Sequence, residues 1–474
     1  MKKSLLAFCV STALAGPALA TTPPPPDPAL QALDARIRAL EIEGQKLREE
    51  AAAAMAEATA ARAELEKMKV AQQPSQPQAT SVAAQPPPAE DVATAAVSAP
   101  AEATSPSAGG ANGNAFNPAI AVILNGVFGH HTLDPDKYVL AGFPIVDGTG
   151  LGKQGLSLGE SEVSFSANVD DKFYGQLTVS YDDDNGKVGT DIEEAYIDTL
   201  ALPDGFNMRL GRFFSDIGYL NSRHTHTDYF VDRPLSYQVF LGNQYGDDGV
   251  QLRWVTPTDI YLDVGGELFR GENFPTSGAN HDGIGTQTLF VHAGGDVGDE
   301  NSWLAGASVL KAKTTQADDG FSGDNKLYIV DGTWKWAPNG NTKDGGVTVR
   351  GEYLVDKRDG TYFNADDIVV DPENPLLSQP WVGERRGGYL EAVYRLNRTW
   401  DIGYRFDKLW PENSGPFPSD FDPVRNSVEA TWRNSEFSYF RLQYSHEDAT
   451  RNTTDNAIYL QYDVALGAHG AHKF

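Results

Sequence analysis

Cysteine, long apolar runs and basic residues are all scarce in this chain of 474 residues. Its single cysteine, Cys9, has no partner for a disulfide within the chain. After the first twenty residues, no run comes near the ~18 consecutive apolar residues that a membrane-spanning helix needs. There are 38 lysines and arginines against 65 aspartates and glutamates, a formal net charge of −27. Because phosphate binding needs clustered positive charge, this balance argues against a nucleic-acid partner.

Sequence signatures of catalysis are missing as well. The chain has no G-x-S-x-G, H-E-x-x-H, P-loop or dinucleotide fingerprint in a fitting context. The acidic run at 182–186, DDDNG, contains residue types found in calcium loops but lacks the closing glutamate of such a loop. It predicts a hairpin turn instead. We therefore predict no enzymatic activity and no cofactor.

The first twenty residues have the three parts of a secretory signal peptide. MKK is positively charged, LLAFCVSTALA is a short apolar core, and PALA ends in a cleavage signal after Ala20. The apolar core is too short to span a bilayer as a helix. No cysteine follows the cleavage point, so we expect an exported chain that is free of cysteine and of a lipid anchor.

Residues 21–70 predict an α-helical coiled coil that makes the protein oligomerise. Apolar or small residues recur there in alternating steps of three and four over about five to six heptads. The heptads leave the number of chains open, since Leu, Ile and Ala are mixed at the core positions. Residues 71–114, rich in Pro, Ala, Ser, Thr and Gln, predict a disordered linker that cannot bury a core.

From residue 115 to 474 the sequence predicts β-strands with one apolar and one polar face. In DIGYRFD, for example, Ile402, Tyr404 and Phe406 alternate with polar or small residues. Such alternation fits a soluble sandwich, with the apolar face inside, or a transmembrane barrel, with the apolar face towards lipid. The pattern by itself leaves both open.

The spacing of the strands favours the barrel. We predict sixteen strands, an even number as in bacterial outer-membrane barrels, joined alternately by short turns and longer loops. The longer loops are predicted at 132–154, 216–247, 271–284, 314–325, 357–383 and 410–423. The predicted fold class is thus all-β, a sixteen-stranded antiparallel transmembrane β-barrel of a size that suits an aqueous channel. Predicted strands begin near Pro118, Gly155, Lys172, Asp191, Phe206, Gly249, Ile260, Gly285, Ser302, Lys326, Gly345, Gly387, Thr399, Arg425, Phe437 and Asn456.

The barrel region resembles porins of the phosphate-selective O/P type. The resemblance rests on GLSLGESEVSFSANVDDKFYGQLTVSYDDD (155–184), DIEEAYIDTL (191–200) and MRLGRFFSDIGYLN (208–221). It implies a homotrimer in outer-membrane lipid, with a long loop folded into the lumen as a constriction. The coiled coil resembles that of some sugar porins, which implies a periplasmic position for this segment. The lysine cluster of the anion-selective members is absent, so phosphate selectivity does not carry over.

By this resemblance the loop at 216–247 supplies the constriction of a channel for passive diffusion of small hydrophilic solutes or ions. The candidate constriction residues are Asp216, Arg223, His224, His226, Asp228, Asp232 and Arg233. Alternation assigns further charged residues to the lumen wall, where they mix both signs. The candidate lumen-lining residues are Arg253, Arg350, Glu352, Glu391, Arg395, Arg405, Arg433 and Arg441.

Two other functions remain open from the sequence. The first is uptake of zinc or a metal chelate, because the chain has nine histidines and YLNSRHTHTDY places His224 and His226 one residue apart. Both side chains would point the same way only if this segment were extended, and two ligands alone bind weakly. The second is a structural role, in which the coiled coil contacts the cell wall and the barrel holds this tether in the outer membrane.

Overall fold

The computed structural model describes residues 118–146, 148–184, 187–276, 283–315, 319–363 and 378–467. The predicted signal peptide, coiled coil and linker lie outside these residues, as do His281, His469 and His472. No helix among the described residues has the length and apolar character needed to cross a membrane.

The described residues form one antiparallel sheet, with the shorter connections mostly at one end and the longer ones mostly at the other. The single α-helix in this part of the chain, α1 (Leu235–Leu241), lies in the long connection at 215–245. The strands are β1 (Ala119–His131), β2 (Gly155–Leu158), β3 (Ser161–Asn168), β4 (Phe173–Asp184), β5 (Lys187–Thr199), β6 (Phe206–Phe214), β7 (Gly246–Val255), β8 (Tyr261–Phe269), β9 (Thr286–Val297), β10 (Asn301–Thr314), β11 (Phe321–Trp336), β12 (Gly346–Phe363), β13 (Ser378–Arg395), β14 (Trp400–Trp410), β15 (Val424–Ser435), β16 (Ser438–Thr450) and β17 (Thr453–Gly467).

The sheet closes into a barrel because its first and last strands pair. β1 runs antiparallel to β17 from Ala121, opposite Gly467, to His131, opposite Ala457. β2 and β3 both pair with β1 and together form one interrupted strand. The predicted sixteen-stranded antiparallel barrel is therefore confirmed. All but two of its strands begin within four residues of the predicted positions.

The barrel is apolar outside and charged inside. On β14, the outward Ile402 and Tyr404 are each 46% exposed, whereas the inward Arg405 and Asp407 are 1% and 0% exposed. β16 repeats the pattern with Leu442 outside and Gln443 inside. This arrangement is the reverse of a water-soluble sandwich, in which the apolar face fills the core.

Aromatic side chains form outward-facing rows near the short-turn end. Trp400, Trp432, Phe440 and Tyr462 stack in sequence across β14–β17, with ring centroids 4.2–6.4 Å apart. A second stack joins Phe206 and Trp254 across β6 and β7. Outward aromatic girdles of this kind mark the membrane–water interface of transmembrane barrels.

Two of the predicted loops were too long. β12 and β13 each have 18 residues and extend into the region predicted as a loop at 357–383. β11 begins at Phe321, inside the loop predicted at 314–325. The sequence hides these extensions because charged residues replace the apolar ones there. Arg358, for example, is fully buried and forms ion pairs with Asp319 and Asp356.

Because the outer surface of the barrel is apolar, placing a charge there should lower the stability of the folded protein. Leu442 lies on β16 two residues beyond Phe440 of the aromatic row and is 54% exposed. We expect Leu442→Arg to lower the stability of the barrel refolded in lipid vesicles by about 1–3 kcal/mol, because the guanidinium would face hydrocarbon between the interface and the midplane. Phe437→Arg, at the neighbouring short turn, serves as the control and should cost only about 0–1 kcal/mol. Equal effects in denaturant titrations would contradict the assignment of this surface to lipid.

Candidate functional site

The connection between β6 and β7, residues 215–245, turns into the barrel and bonds to inward side chains of the strands. The Asp216 backbone N–H donates to Glu267 of β8 at 3.0 Å. On the opposite side, the Leu235 N–H donates to Asp407 of β14 at 3.0 Å, and further contacts reach β16. We call this segment the inner loop. Its bonds to widely separated strands mean that it crosses the barrel interior.

Glu352 of β12 is the acceptor on which the first half of the inner loop converges. Its carboxylate accepts from the backbone N–H groups of Tyr219 and Leu220, at 3.1 and 3.0 Å. The hydroxyls of Tyr237 and Tyr389 donate to the same carboxylate. Gly218 permits this approach, because its φ is 67° and a Cβ there would lie 2.4 Å from Glu352 Oε2.

Helix α1 is buried on all sides inside the barrel. All seven of its residues are buried, and the helix contacts β13 and β14. Phe240 comes so close to β13 that a Cβ at Gly387 would lie 2.9 Å from its ring. Gly242 ends the helix in the left-handed conformation, with φ 59° and ψ 40°. The helix of the inner loop is therefore packed closely against this wall.

Asp232 joins the inner loop to two arginines of the wall. Its carboxylate lies 2.9 Å from Arg405 Nη2 and 2.8 Å from Arg425 Nη1. Gln443 also donates to it at 2.7 Å. Burial would raise the pKa of this loop carboxyl, but the charges of Arg425 and Arg405 outweigh burial and lower the pKa to about 2. Asp232 is thus held ionised in a partly buried position.

Most of the predicted lumen-lining arginines are paired with neighbouring carboxylates. The ion pairs join Arg350 to Glu391, Arg395 and Arg433 to Asp401, Arg405 to Asp407, and Arg253 to Asp263. Arg441 donates to Gln461 and Thr431 instead. Pairing satisfies these side chains in the interior and leaves the barrel wall with mixed charge.

The predicted constriction residues all lie in the inner loop, but they divide among several contacts. Asp216 accepts from Gln251 at 3.0 Å, near β8. Asp228 and Arg233 form an ion pair with each other at 2.7 Å. The Arg223 guanidinium lies 4.2 Å from the centroid of the Tyr219 ring. These residues therefore make separate contacts within the loop and with the wall.

His224 lies among four carboxylates from the neighbouring wall. Its Nε2 is 3.1 Å from Glu194 Oε2. Its Nδ1 faces the other three carboxylates, at 2.9 Å from Glu162, 3.3 Å from Glu193 and 3.6 Å from Glu160. We call these four glutamates and the two loop histidines the histidine–glutamate cluster.

His226 belongs to the same cluster, although the segment is not extended as the sequence reasoning required. Thr225–Thr227 form a 3-10 turn, and the rings of His224 and His226 stack with centroids 5.7 Å apart. Ligand atoms of Glu160, Glu162, His224 and His226 all lie within 4.8 Å of one another. The requirement for an extended segment was wrong, because this turn also directs both imidazoles to one place.

Sequence reasoning named Glu352 as lumen-lining but missed the carboxylates of this cluster and Glu267, a second acceptor of the inner loop. Glu160 and Glu162 share a face in the alternating segment GESEVSF, which was a usable signal. Glu193 and Glu194 are adjacent, so strict alternation would have turned one of them outward. Their convergence with a loop some thirty residues away could not be read from local patterns.

Comparison with other proteins identifies no family for this chain, since no family model matches it. A protein of Aquifex aeolicus (strain VF5), described as uncharacterized, is 29% identical over 351 residues. The match covers 68% of this chain and 71% of that protein. It carries no description of function that could be transferred.

Several solved barrel structures are similar in outline. They include OmpT, an outer membrane protein of Vibrio cholerae, with a TM-score of 0.47 and 11% identity over 76% of this chain and 100% of that one. An anion-selective porin from Comamonas acidovorans has a TM-score of 0.47 and 10% identity, over 74% of this chain and 99% of that one. The outer membrane channel DcaP of Acinetobacter baumannii has a TM-score of 0.46 and 11% identity, over 74% of this chain and 97% of that one. These TM-scores lie below 0.5, so the barrel is established by the pairing of its own strands.

Removing the charge of Glu352 should loosen the inner loop. In Glu352→Gln, an amide N–H₂ replaces one oxygen and meets groups that are themselves donors. We expect a loss of about 1–3 kcal/mol in unfolding free energy, because buried donors lose a charged acceptor. Denaturant titration of the refolded protein measures the change. Glu436→Gln, at an exposed turn, is the matched control, and an equal effect in both variants would contradict the assigned role.

The contribution of Asp232 should depend on pH. Its pKa in the folded protein, about 2, lies below the ordinary value of 3.8, so its stabilisation is fully present above about pH 4 and is lost as the pH falls towards 2. At neutral pH we expect Asp232→Asn to cost about 2 kcal/mol. The difference from the unaltered protein should vanish near pH 2, and a difference independent of pH would contradict the ion-pair account.

Proposed function

We propose that this protein is an outer-membrane channel for passive diffusion of small hydrophilic solutes or ions, narrowed by the inner loop. The observation that carries the proposal is a charged loop, residues 215–245, bonded across the interior of a barrel whose outer surface is apolar. A barrel of sixteen strands is wide enough for an aqueous passage, and an inward loop is a direct way to restrict it.

A membrane location has independent support from the outer surface. Apolar side chains such as Leu442 and Ile402 face outward, and aromatic rings such as Trp400 and Trp432 face outward near the short turns. This is the distribution that a lipid bilayer selects. We propose the outer membrane, with the short turns and the amino-terminal segment on the periplasmic side and the barrels in homotrimers.

The interior charges favour a channel with a transverse electric field. Fixed charges of both signs bias ion passage only modestly and orient dipolar solutes. The phosphate-selective subtype remains without support, as no lysine cluster was found in the sequence. The buried arginines are concentrated on one part of the wall. Six of the eight in the described part of the chain lie on β12–β16, namely Arg350, Arg358, Arg385, Arg405, Arg425 and Arg441.

Metal or metal-chelate uptake is the second candidate. The observation that favours it is the histidine–glutamate cluster, where both loop histidines meet carboxylates of the wall. Imidazole nitrogen with carboxylate oxygen is a donor set suited to divalent transition metals. A tethering role through the coiled coil stays a prediction of the sequence.

Planar-bilayer recording of the folded, heat-modifiable protein tests the channel directly. We expect ohmic single-channel conductance that rises in Tyr229→Ala, because this half-buried loop side chain, stacked 4.9 Å from Arg350, narrows the interior. Tyr444→Ala, which removes an outward tyrosine, is the matched control and should leave conductance unchanged.

Reversal potentials in a salt gradient should show weak ion selectivity in the same recordings. Absence of conductance from folded protein would overturn the channel proposal. Equal conductance in the Tyr229 variant and the unaltered protein would overturn the role of the inner loop.

A further inference from the structure

Two breaks in the strand register aim the carboxylates of the histidine–glutamate cluster into the barrel. The first separates β2 from β3. Leu158 pairs with Gly126, and Glu162 pairs with Ile123. Between these pairs the chain advances four residues from β2 to β3 but only three along β1. One extra residue is therefore inserted, and it reverses which residues face inward. Without this bulge, Glu162 would face the apolar outer surface.

The second break lies in β5, two strands further along the wall. Thr178 pairs with Glu194 and Val179 pairs with Ile192, which leaves Glu193 as the extra residue. Because of this bulge, adjacent glutamates can both reach His224, with side chains only 17% and 8% exposed. Bulges often redirect side chains beside functional sites, and here two of them serve one imidazole.

The cluster holds more negative charge than its protein partners neutralise. Within the described residues, the ion pairs of Glu160, Glu162 and Glu193 are all with histidine, and none is with lysine or arginine. His224 Nδ1 and Glu162 Oε2 lie 2.9 Å apart without the angle of a hydrogen bond. A single imidazole proton cannot bridge three carboxylates, so these atoms converge on a point that a cation would occupy.

We propose that the histidine–glutamate cluster binds a divalent transition-metal ion, with Zn²⁺ the best match. Imidazole nitrogens and carboxylate oxygens without thiols are ligands for this class of ion. His224 Nδ1, Glu162, Glu160 and His226 supply four donors, the number that a closed zinc site uses. Two ligands of one tetrahedral Zn²⁺ lie about 3.3 Å apart, which resembles the 2.9–3.6 Å between His224 Nδ1 and its carboxylates.

Hydrogen bonds also fix the two histidines in place. With Nδ1 towards the ion, His224 Nε2–H donates to Glu194 at 3.1 Å, which sets the tautomer of the ring. The His226 backbone N–H donates to Glu160 Oε2 at 3.1 Å. The ion thus joins the middle of the inner loop to β3 and to the bulge before it.

The position of the site gives the ion a role in the channel. The wall on this side presents carboxylates, whereas the Asp232 side of the inner loop is held by arginines. Bound metal supplies the missing positive charge and fastens the loop at its second side. This role rests on the proposed channel function, whereas binding itself does not.

Metal binding is tested on the full-length protein after EDTA treatment. We expect equilibrium dialysis against micromolar Zn²⁺, followed by elemental analysis, to find about one ion per chain. Glu162→Gln, which keeps the side-chain shape, and Glu194→Gln, which removes the partner of Nε2, should each weaken affinity at least about tenfold. His446→Ala, whose side chain is 45% exposed elsewhere on the barrel, should bind as the unaltered protein does.

Folding of the variants is checked by measuring the thermal unfolding midpoint of each protein with and without Zn²⁺. Zn²⁺ should raise the unfolding midpoint of the unaltered protein but not of Glu162→Gln. Without metal, Glu162→Gln should unfold at an equal or higher temperature, because it relieves carboxylate repulsion. Absence of Zn²⁺ binding, or binding that Glu162→Gln leaves unchanged, would overturn the site.

Conductance measurements distinguish metal binding from the effect of the metal on the inner loop. EDTA should increase current fluctuations of the open channel, Zn²⁺ should suppress them, and Glu162→Gln should respond to neither. Binding without any effect on the current would overturn the fastening role and leave the site in place. A folded protein that binds Zn²⁺ but does not conduct would contradict the channel function alone.

Discussion

A polypeptide loop that crosses the inside of a barrel must have its buried backbone groups satisfied, and the rest of this interior follows from that requirement. Carboxylates on the wall supply the acceptors. Glu267, Glu352 and Asp407 receive backbone N–H groups from successive parts of the inner loop. These charges in turn demand compensation, which arginines and hydroxyls provide. The loop and the wall are therefore one polar network rather than a plug placed in a finished pore.

The compensation differs on two sides of the interior. Arg405 of β14 and Arg425 of β15 hold the loop through Asp232, so the protein itself supplies the positive charge there. At the histidine–glutamate cluster, four carboxylates face His224, and the protein alone leaves an excess of negative charge. Burial makes such an excess costly unless a cation joins it. The first side is held by arginines of the protein itself, whereas the proposed metal ion holds the second side.

The sequence predicts the barrel well because closure in a bilayer imposes period-2 alternation on every strand. The same alternation fails where both faces are polar, so the start of β13 was placed at Gly387 and not at Ser378. It also fails at the two bulges, since one inserted residue reverses the faces and only pairing with the neighbouring strand reveals it. The histidines were visible as candidates. Their carboxylate partners depend on tertiary structure.

Hydrogen exchange at the backbone amides of the inner loop tests the central claim most directly. The N–H groups of Tyr219, Leu220, Val231 and Leu235 are bonded to wall side chains and should exchange nearly as slowly as the strands. The loop at 411–423, between β14 and β15, provides a fast-exchanging reference. Exchange of the inner-loop amides as fast as that reference would contradict a loop fixed across the barrel.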